Sequence, residues 1–304
     1  MQEVRSIWHN GRLVPWAEAT IHVMTHGLHY GSGAFEGIRA YEGRQGTHVL
    51  GLDQHVGRLV ASCRALRMDL PWTAAEVRQG ILDVVRDNEL GACYIRPIAY
   101  VGYHKLGIDP VGNPIELAIA AYPWGAYHGE GLTEGVDVGV SSWQRMAPNT
   151  HQAMVKATGN YVNSMLALLE AKRHGYAEGL MLDQDGYVCE GSGENLFLVK
   201  DGGLITPPIG ASILAGITRE FVLQLAADRG LTVTQERLPR EMLMFAEELF
   251  MTGTAAEITP IRSVDRLPIG EAKPGPITRS LQEEFFGILG GEKEDRHGWL
   301  TPVE

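Results

Sequence analysis

Along the chain the spacing of apolar positions changes period several times, and each change marks an element. Ile7-Trp8 and Leu13-Val14 flank Asn10-Gly11, a dipeptide that accepts the positive φ angles of a tight hairpin turn. Asp53 opens a helical pattern running to about Leu66 and is its expected cap. Thr73 with Glu76 forms a capping box for a second helix, expected to end near Gly91. Two β-rich runs follow, at 93–101 and 115–122. The Gly-, Tyr-, Trp- and Pro-containing segment at 122–133 breaks the periodicity and is the expected junction between two halves.

Beyond it, 136–142 alternates as a strand does, and a loop through Pro148 reaches Lys156. Met165, Leu168 and Leu169 recur at helical spacing within a helix expected over 160–173. Short strands separated by tight turns are expected at 179–182, 187–190, 195–199 and 204–206. A helix over 217–229 stops at Gly230. A last strand, 248–251, enters the turn Thr252-Gly253-Thr254-Ala255. The fold class predicted is α+β, with mixed α/β halves: a small domain at 1–125, a linker at 126–133 and a larger domain at 134–304 that carries Lys156.

A length of 304 residues suits one large core or two modest ones. No apolar run approaches the roughly 18 residues needed to span a bilayer. The first ten residues carry no basic stretch followed by an apolar run, so no secretory leader is expected and the cytoplasm is the expected compartment. A net charge of −11 argues against nucleic acid and anionic membranes as partners. It also means that any carboxylate or phosphate must be held by particular arginines and backbone donors. Cys63, Cys93 and Cys189 form no Cys-x-x-Cys pair and are expected as free thiols.

Two familiar patterns fail on spacing. Gly31-Ser32-Gly33 with Gly37 places its third glycine one position too late for a dinucleotide loop. His26 and His29 lack the His-Glu spacing of a zinc helix, and no metal is expected. Four other segments make chemical sense together. Val155-Lys156-Ala157-Thr158-Gly159-Asn160-Tyr161 sets a lysine in an apolar, glycine-containing loop before a helix. That is the setting a Schiff-base lysine needs, because desolvation favours the neutral, nucleophilic amine. Glu190-Gly191-Ser192-Gly193-Glu194-Asn195-Leu196-Phe197 places two glutamates among small residues, and one of them can pair with a protonated ring nitrogen. Leu214-Ala215-Gly216-Ile217-Thr218-Arg219 offers a phosphate cup at a helix N-terminus. Thr252-Gly253-Thr254-Ala255-Ala256 adds hydroxyls and backbone donors for an anion.

Together the four segments resemble the fold-type IV (class IV) pyridoxal-phosphate enzymes, and the Glu190–Phe197 segment is similar to that of branched-chain aminotransferases. The likeness extends from His29-Tyr30-Gly31 and Phe35-Glu36-Gly37-Ile38-Arg39 to Gly298-Trp299-Leu300. It implies a two-domain architecture like that of the D-amino-acid aminotransferases and pyridoxal 5′-phosphate (PLP) as cofactor. By this resemblance Lys156 is the lysine bonded to the cofactor, Tyr161 meets its phenolate oxygen and Glu190 its ring nitrogen. Arg58, Ile217, Thr218 and Thr254 would bind the phosphate, with Gly193, Glu194, Asn195, Leu214, Gly216 and Gly253 around the cofactor.

For the substrate, Tyr94-Ile95-Arg96 resembles the Tyr-x-Arg pattern of branched-chain enzymes, where D-amino-acid transaminases tend to carry Arg-x-His. Tyr94, Thr254, Ala255 and Ala256 would hold the α-carboxylate, and Arg96 with the Tyr30 hydroxyl a second carboxylate. Tyr30, Phe35, Gly37, Trp124, Tyr127 and Ala256 would wall the side chain, and the loop of Ile108 would reach over from a partner subunit. The implied substrates are branched-chain L-amino acids, L-glutamate and their 2-oxo acids, and the implied assembly is a homodimer building a homohexamer. Rivals on the same fold are a D-amino-acid or (R)-amine transaminase and an aminodeoxychorismate lyase. A rival of another class is a PLP carrier without turnover, which would need only the phosphate cup.

Overall fold

A computed structural model describes residues 2–125 and 129–303, and contacts divide the chain into two units. The first comprises Met1–Gly125, Val155–Gly159 and Gly287–Glu304. Its antiparallel sheet runs in the order Leu300–Pro302, Gly46–Leu50, Ile38–Gly43, Cys93–Val101, Ile115–Pro123, Ser6–His9 and Arg12–Pro15. Gly33–Phe35 also pairs with Cys93–Val101. Asn10 (φ 49°) and Gly11 (φ 93°) make the expected hairpin turn. The helices Leu52–Ala65 and Ala74–Asp87 pack together, and the second lies on the sheet. Between them Trp8, Ile38, Leu59, Ile81, Ile95, Leu117 and Ile119 form one dry core.

The Thr73–Glu76 capping box forms as expected, with Thr73 Oγ1 accepting from Glu76 N–H at 3.2 Å. The first helix is entered differently. Gly51, at φ 61°, is the cap, and Asp53 sits inside the first turn, where it pairs with Arg78 at 3.0 Å. The second helix stops at Asp87, short of Gly91, because Asn88 Nδ2 takes the Val84 carbonyl at 2.7 Å and Glu89 turns to φ 52°.

The second unit comprises Ala126–Met154 and Asn160–Phe286. Six of its strands close a circuit: Asn195–Lys200, Glu248–Gly253, Glu257–Val264, Val136–Val140, Glu178–Leu182 and Tyr187–Glu190, which returns to the first. The closing pair is Glu190 opposite Asn195. Leu180, Val188, Leu196, Leu198, Leu249 and Ile261 fill the core of this unit. The strand Glu248–Gly253 runs two residues further than expected, so the turn begins at Thr254. Its register places Thr252 opposite Asn195.

This division differs from the sequence-based domains at 126–133 and 134–304. The short helix Gly131–Glu134, within the linker expected at 126–133, belongs to the second unit, and residues 126–128 lie outside the described residues. Lys156 belongs to the first unit because its segment is tied there. Phe35 N–H donates to the Lys156 carbonyl at 3.0 Å, Ala157 bridges Ala34, and Thr158 Oγ1 donates to the Gly31 carbonyl at 2.7 Å. The C-terminal strand joins the first unit by pairing with Gly46–Leu50. No helix among the described residues is long and apolar enough to cross a membrane.

Candidate active site

In the first unit, Lys156 is held by its backbone, with its N–H on Ser62 Oγ at 3.3 Å and its carbonyl on Phe35. The Nζ lies 5.0 Å from the centre of the Phe35 ring. The Arg96 guanidinium stands over the same ring at 4.9 Å and over Tyr94 at 5.1 Å, and Nη2 donates to the Tyr94 hydroxyl at 3.1 Å. Tyr94 in turn packs on Trp124 and Tyr122, with ring centres 5.2 and 5.8 Å away. The result is an apolar aromatic wall against which Arg96 and Lys156 stand. Gly37 closes against it: a Cβ there would collide with the Tyr94 hydroxyl, so only glycine fits. The buried Trp124 Nε1 finds no hydrogen-bond acceptor among the described residues.

Arg58 is not a simple helix-surface residue. Its Nε and Nη2 reach both oxygens of Glu36, at 2.6 and 2.8 Å, and His55 Nδ1 meets Glu36 Oε2 at 2.7 Å. Glu36 is fully buried. Burial alone would raise its carboxyl, but the Arg58 charge and His55 hold it well below the usual carboxylate range. Burial lowers the His55 pKa, so at neutral pH Arg58 supplies the charge and the His55 ring a hydrogen bond. Tyr30 is half exposed and packs on His26 at 4.5 Å. His26 is engaged on both nitrogens: Nε2 donates to the Gly107 carbonyl at 2.9 Å, and Nδ1 accepts from Ser32 Oγ at 2.7 Å. It thereby tethers the loop whose tip, Ile108, is 90% exposed.

In the second unit, Glu190 is buried and fixed on both oxygens. Arg145 Nη2 pairs with its Oε1 at 2.7 Å, while Asn195 Nδ2 and Leu214 N–H donate to Oε2 at 2.9 and 3.0 Å. Arg145 itself is buried and touches the Ser212 carbonyl at 3.4 Å. Asn195 also donates to the Leu214 carbonyl, so the 190–195 hairpin and the 212–216 loop are stitched together. That stitch explains Gly216, where a Cβ would collide with Asn195 Oδ1. Gly216 begins the helix Ile217–Asp228 without a side-chain cap, with Ile217 and Thr218 in its first turn. The helix packs on the Glu248–Gly253 strand. Beyond that strand come Thr254, Ala255 and Ala256, and Gly253 itself packs on Glu194. Tyr161 opens the helix Tyr161–Arg173.

The cofactor expected from the sequence fits this donor set. A helix N-terminus without a side-chain cap, behind a glycine cradle, suits a phosphate. Glu190, ion-paired yet anchored on both oxygens, suits a ring cation. Thr252 Oγ1 is buried with no partner among the described residues, next to the same hairpin. Sequence reasoning missed Arg145, Glu36, His55, Tyr122 and Glu178. An arginine 45 residues before Glu190 carries no local signal, although buried acids within glycine-rich motifs do call for a counter-charge. Tyr127 lies outside the described residues.

The chain is similar to known proteins over nearly its whole length. The family model described as amino-transferase class IV matches residues 33–264. A branched-chain-amino-acid aminotransferase of Salmonella typhimurium is 49% identical over 299 residues, covering 98% of this chain and 97% of that one. The crystal structure of the branched-chain amino acid aminotransferase of Escherichia coli superposes with a TM-score of 0.98 at 48% identity, covering 99% of this chain and 100% of the other. The T.th. branched-chain amino acid aminotransferase, in its crystal structure with pyridoxamine 5′-phosphate, gives 0.96 at 44% identity and covers 100% of both chains.

Proposed function

The chain belongs to the class IV amino-transferase family, and from that premise we propose that it moves amino groups between branched-chain L-amino acids and 2-oxoglutarate. Its full-length relatives do not favour the D-amino-acid, (R)-amine or lyase alternatives. PLP is the cofactor, and when bound it supplies the electron sink that stabilises charge at the substrate Cα.

The roles assigned to residues are our proposal. Lys156 would provide the amine that bonds the cofactor and the base that takes the proton from the substrate Cα. Glu190 keeps the ring nitrogen protonated, and Arg145, Asn195 and Leu214 hold Glu190 in line. Tyr161 donates to the phenolate oxygen. Arg58, Ile217, Thr218 and Thr254 take the phosphate, within the surround of Gly193, Glu194, Asn195, Leu214, Gly216 and Gly253. Tyr94 and the Thr254–Ala256 turn orient the α-carboxylate.

The observation that carries the substrate assignment is Arg96 among Phe35, Tyr94, Tyr122 and Trp124. An isobutyl group needs only the apolar wall of that pocket, whereas glutamate and 2-oxoglutarate need a cation. A charge-assisted pair contributes roughly 1.5–3 kcal/mol, or about 10- to 150-fold in specificity. Arg96→Met keeps an apolar filler in the cage and is expected to weaken the glutamate and 2-oxoglutarate half-reactions by that factor. The leucine half-reaction should stay within a fewfold. Single-turnover absorbance with each amino acid alone measures both, and adding D-alanine to the series tests the preference for L-donors. Equal damage to leucine and glutamate would move Arg96 to the α-carboxylate.

The assembly proposed is a homodimer that builds a homohexamer, the loop of Ile108 reaching a partner's substrate. Exposed Ile108 and Val111 on one unit, and half-exposed Val162, Met165 and Leu169 along one helix of the other, support self-association. Light scattering on the purified holoenzyme is expected to give a multiple of two chains, and the mass of a single chain would overturn the assembly.

A further inference from the structure

Of the two buried acids beside Glu190, Glu178 has no role in the chemistry above and Glu194 only borders the cofactor. Glu178, on the strand next to Glu190's own, is fully buried, and Glu194 nearly so. Between them they hold the turn that joins Glu190 to Asn195. Glu178 Oε1 accepts from Gly179 N–H at 2.6 Å and Ser192 N–H at 3.2 Å. Glu194 Oε2 accepts from Gly193 N–H at 3.0 Å, and the Glu194 carbonyl accepts from Gly191 N–H at 2.7 Å. The remaining oxygen, Glu178 Oε2, is buried and has no donor among the described residues. The side chains that interact with Glu178 are those of Ser192 and Glu194, and Glu194 is the acid of the two.

Two ionised carboxylates in such contact would repel, and Oε2 of Glu178 would remain an unsatisfied acceptor. One proton between them removes both problems, since the protonated acid donates to the ionised one. We propose that Glu178 and Glu194 share one proton as a buried acid–carboxylate pair and are the positioning residues of Glu190. The pair then carries a single negative charge, and Arg145 remains devoted to Glu190. The neighbouring charges agree with this. Burial, and then the proximity of Glu178 and Glu190, raise the Glu194 carboxyl well above its ordinary value, and burial raises that of Glu178. Gly191 and Gly253 lie against Glu194, and the Gly193 N–H donates to it.

The link to catalysis rests on the proposed role of Glu190, so the test separates the two. Infrared spectra of the cofactor-free protein at neutral pH are expected to contain one protonated-carboxyl stretch. It should vanish in both E178Q and E194Q, because an amide beside a carboxylate needs no shared proton, and it should persist in E190Q. With the holoenzyme, E178A lets the turn relax and is expected to lower kcat about 10- to 100-fold, as loss of orienting partners does. KM and cofactor binding should change little. E178Q is expected to restore most of kcat, since its amide accepts from the Gly179 and Ser192 N–H groups and donates to Glu194.

Both acids have folded-state pKa values above their unfolded ones. The stability they add is therefore complete below the ordinary carboxyl range and is lost as pH rises through the folded values. The cofactor-free parent should accordingly lose melting temperature toward alkaline pH, and E178Q should lose less. Absence of the carboxyl stretch in the parent, its survival in E178Q, or equal kcat in E178A and E178Q would overturn the pair. An E190Q enzyme of near-parental rate, with the infrared pattern intact, would instead overturn the role given to Glu190.

Discussion

Lys156→Ala is expected to abolish multiple turnover while leaving the chain folded and able to hold its cofactor. The segment is anchored by backbone bonds, from Lys156 N–H to Ser62 Oγ and from Phe35 N–H to the Lys156 carbonyl, and truncation leaves both intact. The side chain is only partly buried, so stability should fall by no more than about 1 kcal/mol. Loss of the amine removes two functions at once, the bond to the cofactor and the proton transfer at Cα. The second alone accounts for roughly 100- to 10,000-fold in rate. Steady-state assays at saturating cofactor, with equilibrium dialysis of cofactor into the variant, separate the effects. Turnover should disappear, the visible absorbance of the lysine-bonded cofactor should be lost, and binding should fall far less than rate. Near-parental turnover in the saturated variant would overturn the assignment of Lys156.

What was legible beforehand follows from how local each interaction is. The Asn10-Gly11 turn, the Thr73–Glu76 box and the strands Cys93–Val101 and Tyr187–Glu190 are specified by neighbours in sequence, and they form within a residue or so of expectation. Asp53 misled because an acid near a helix start serves the first turn as well as the cap, and Gly51 can adopt the left-handed conformation that enters the helix. The strands Ile38–Gly43 and Gly46–Leu50 were not singled out. Their alternation is interrupted by Gly43-Arg44-Gln45-Gly46, and one of their partners, Leu300–Pro302, lies at the far end of the chain. Placing Lys156 in the second half followed from its position in the sequence alone. Its hydrogen bonds run instead to Phe35 and Ser62, more than ninety residues away. The motif around Glu190 announced an acid in need of a partner. That the partner is Arg145, and that Glu178 lies opposite the turn, depends on strand pairing that no single segment encodes.

Glu190→Gln is the next most severe substitution expected, and its cost has two separable parts. The first is electrostatic: a neutral amide cannot keep the ring nitrogen protonated as charge develops at Cα. By analogy with the loss of a preorganised transition-state partner, kcat should fall about 100- to 1,000-fold, or roughly 3–4 kcal/mol of barrier. The second is structural. Three donors hold Glu190: Arg145 at one oxygen, Asn195 Nδ2 and the Leu214 N–H at the other. Whichever way the glutamine amide points, its NH2 faces a donor, and Arg145 is left buried without its counter-charge. Melting of the cofactor-free variant should therefore report a loss of about 1–3 kcal/mol. The cofactor should stay bound through its phosphate, because the helix starting at Ile217 and the Thr254 turn do not depend on the charge of Glu190. KM should move little beside kcat, as expected for an interaction made chiefly in the transition state. Cofactor occupancy, melting temperature and single-turnover rate together divide the two costs. A rate within severalfold of the parent, with cofactor bound and stability reduced, would confine Glu190 to a structural role and pass the ring nitrogen to Glu194.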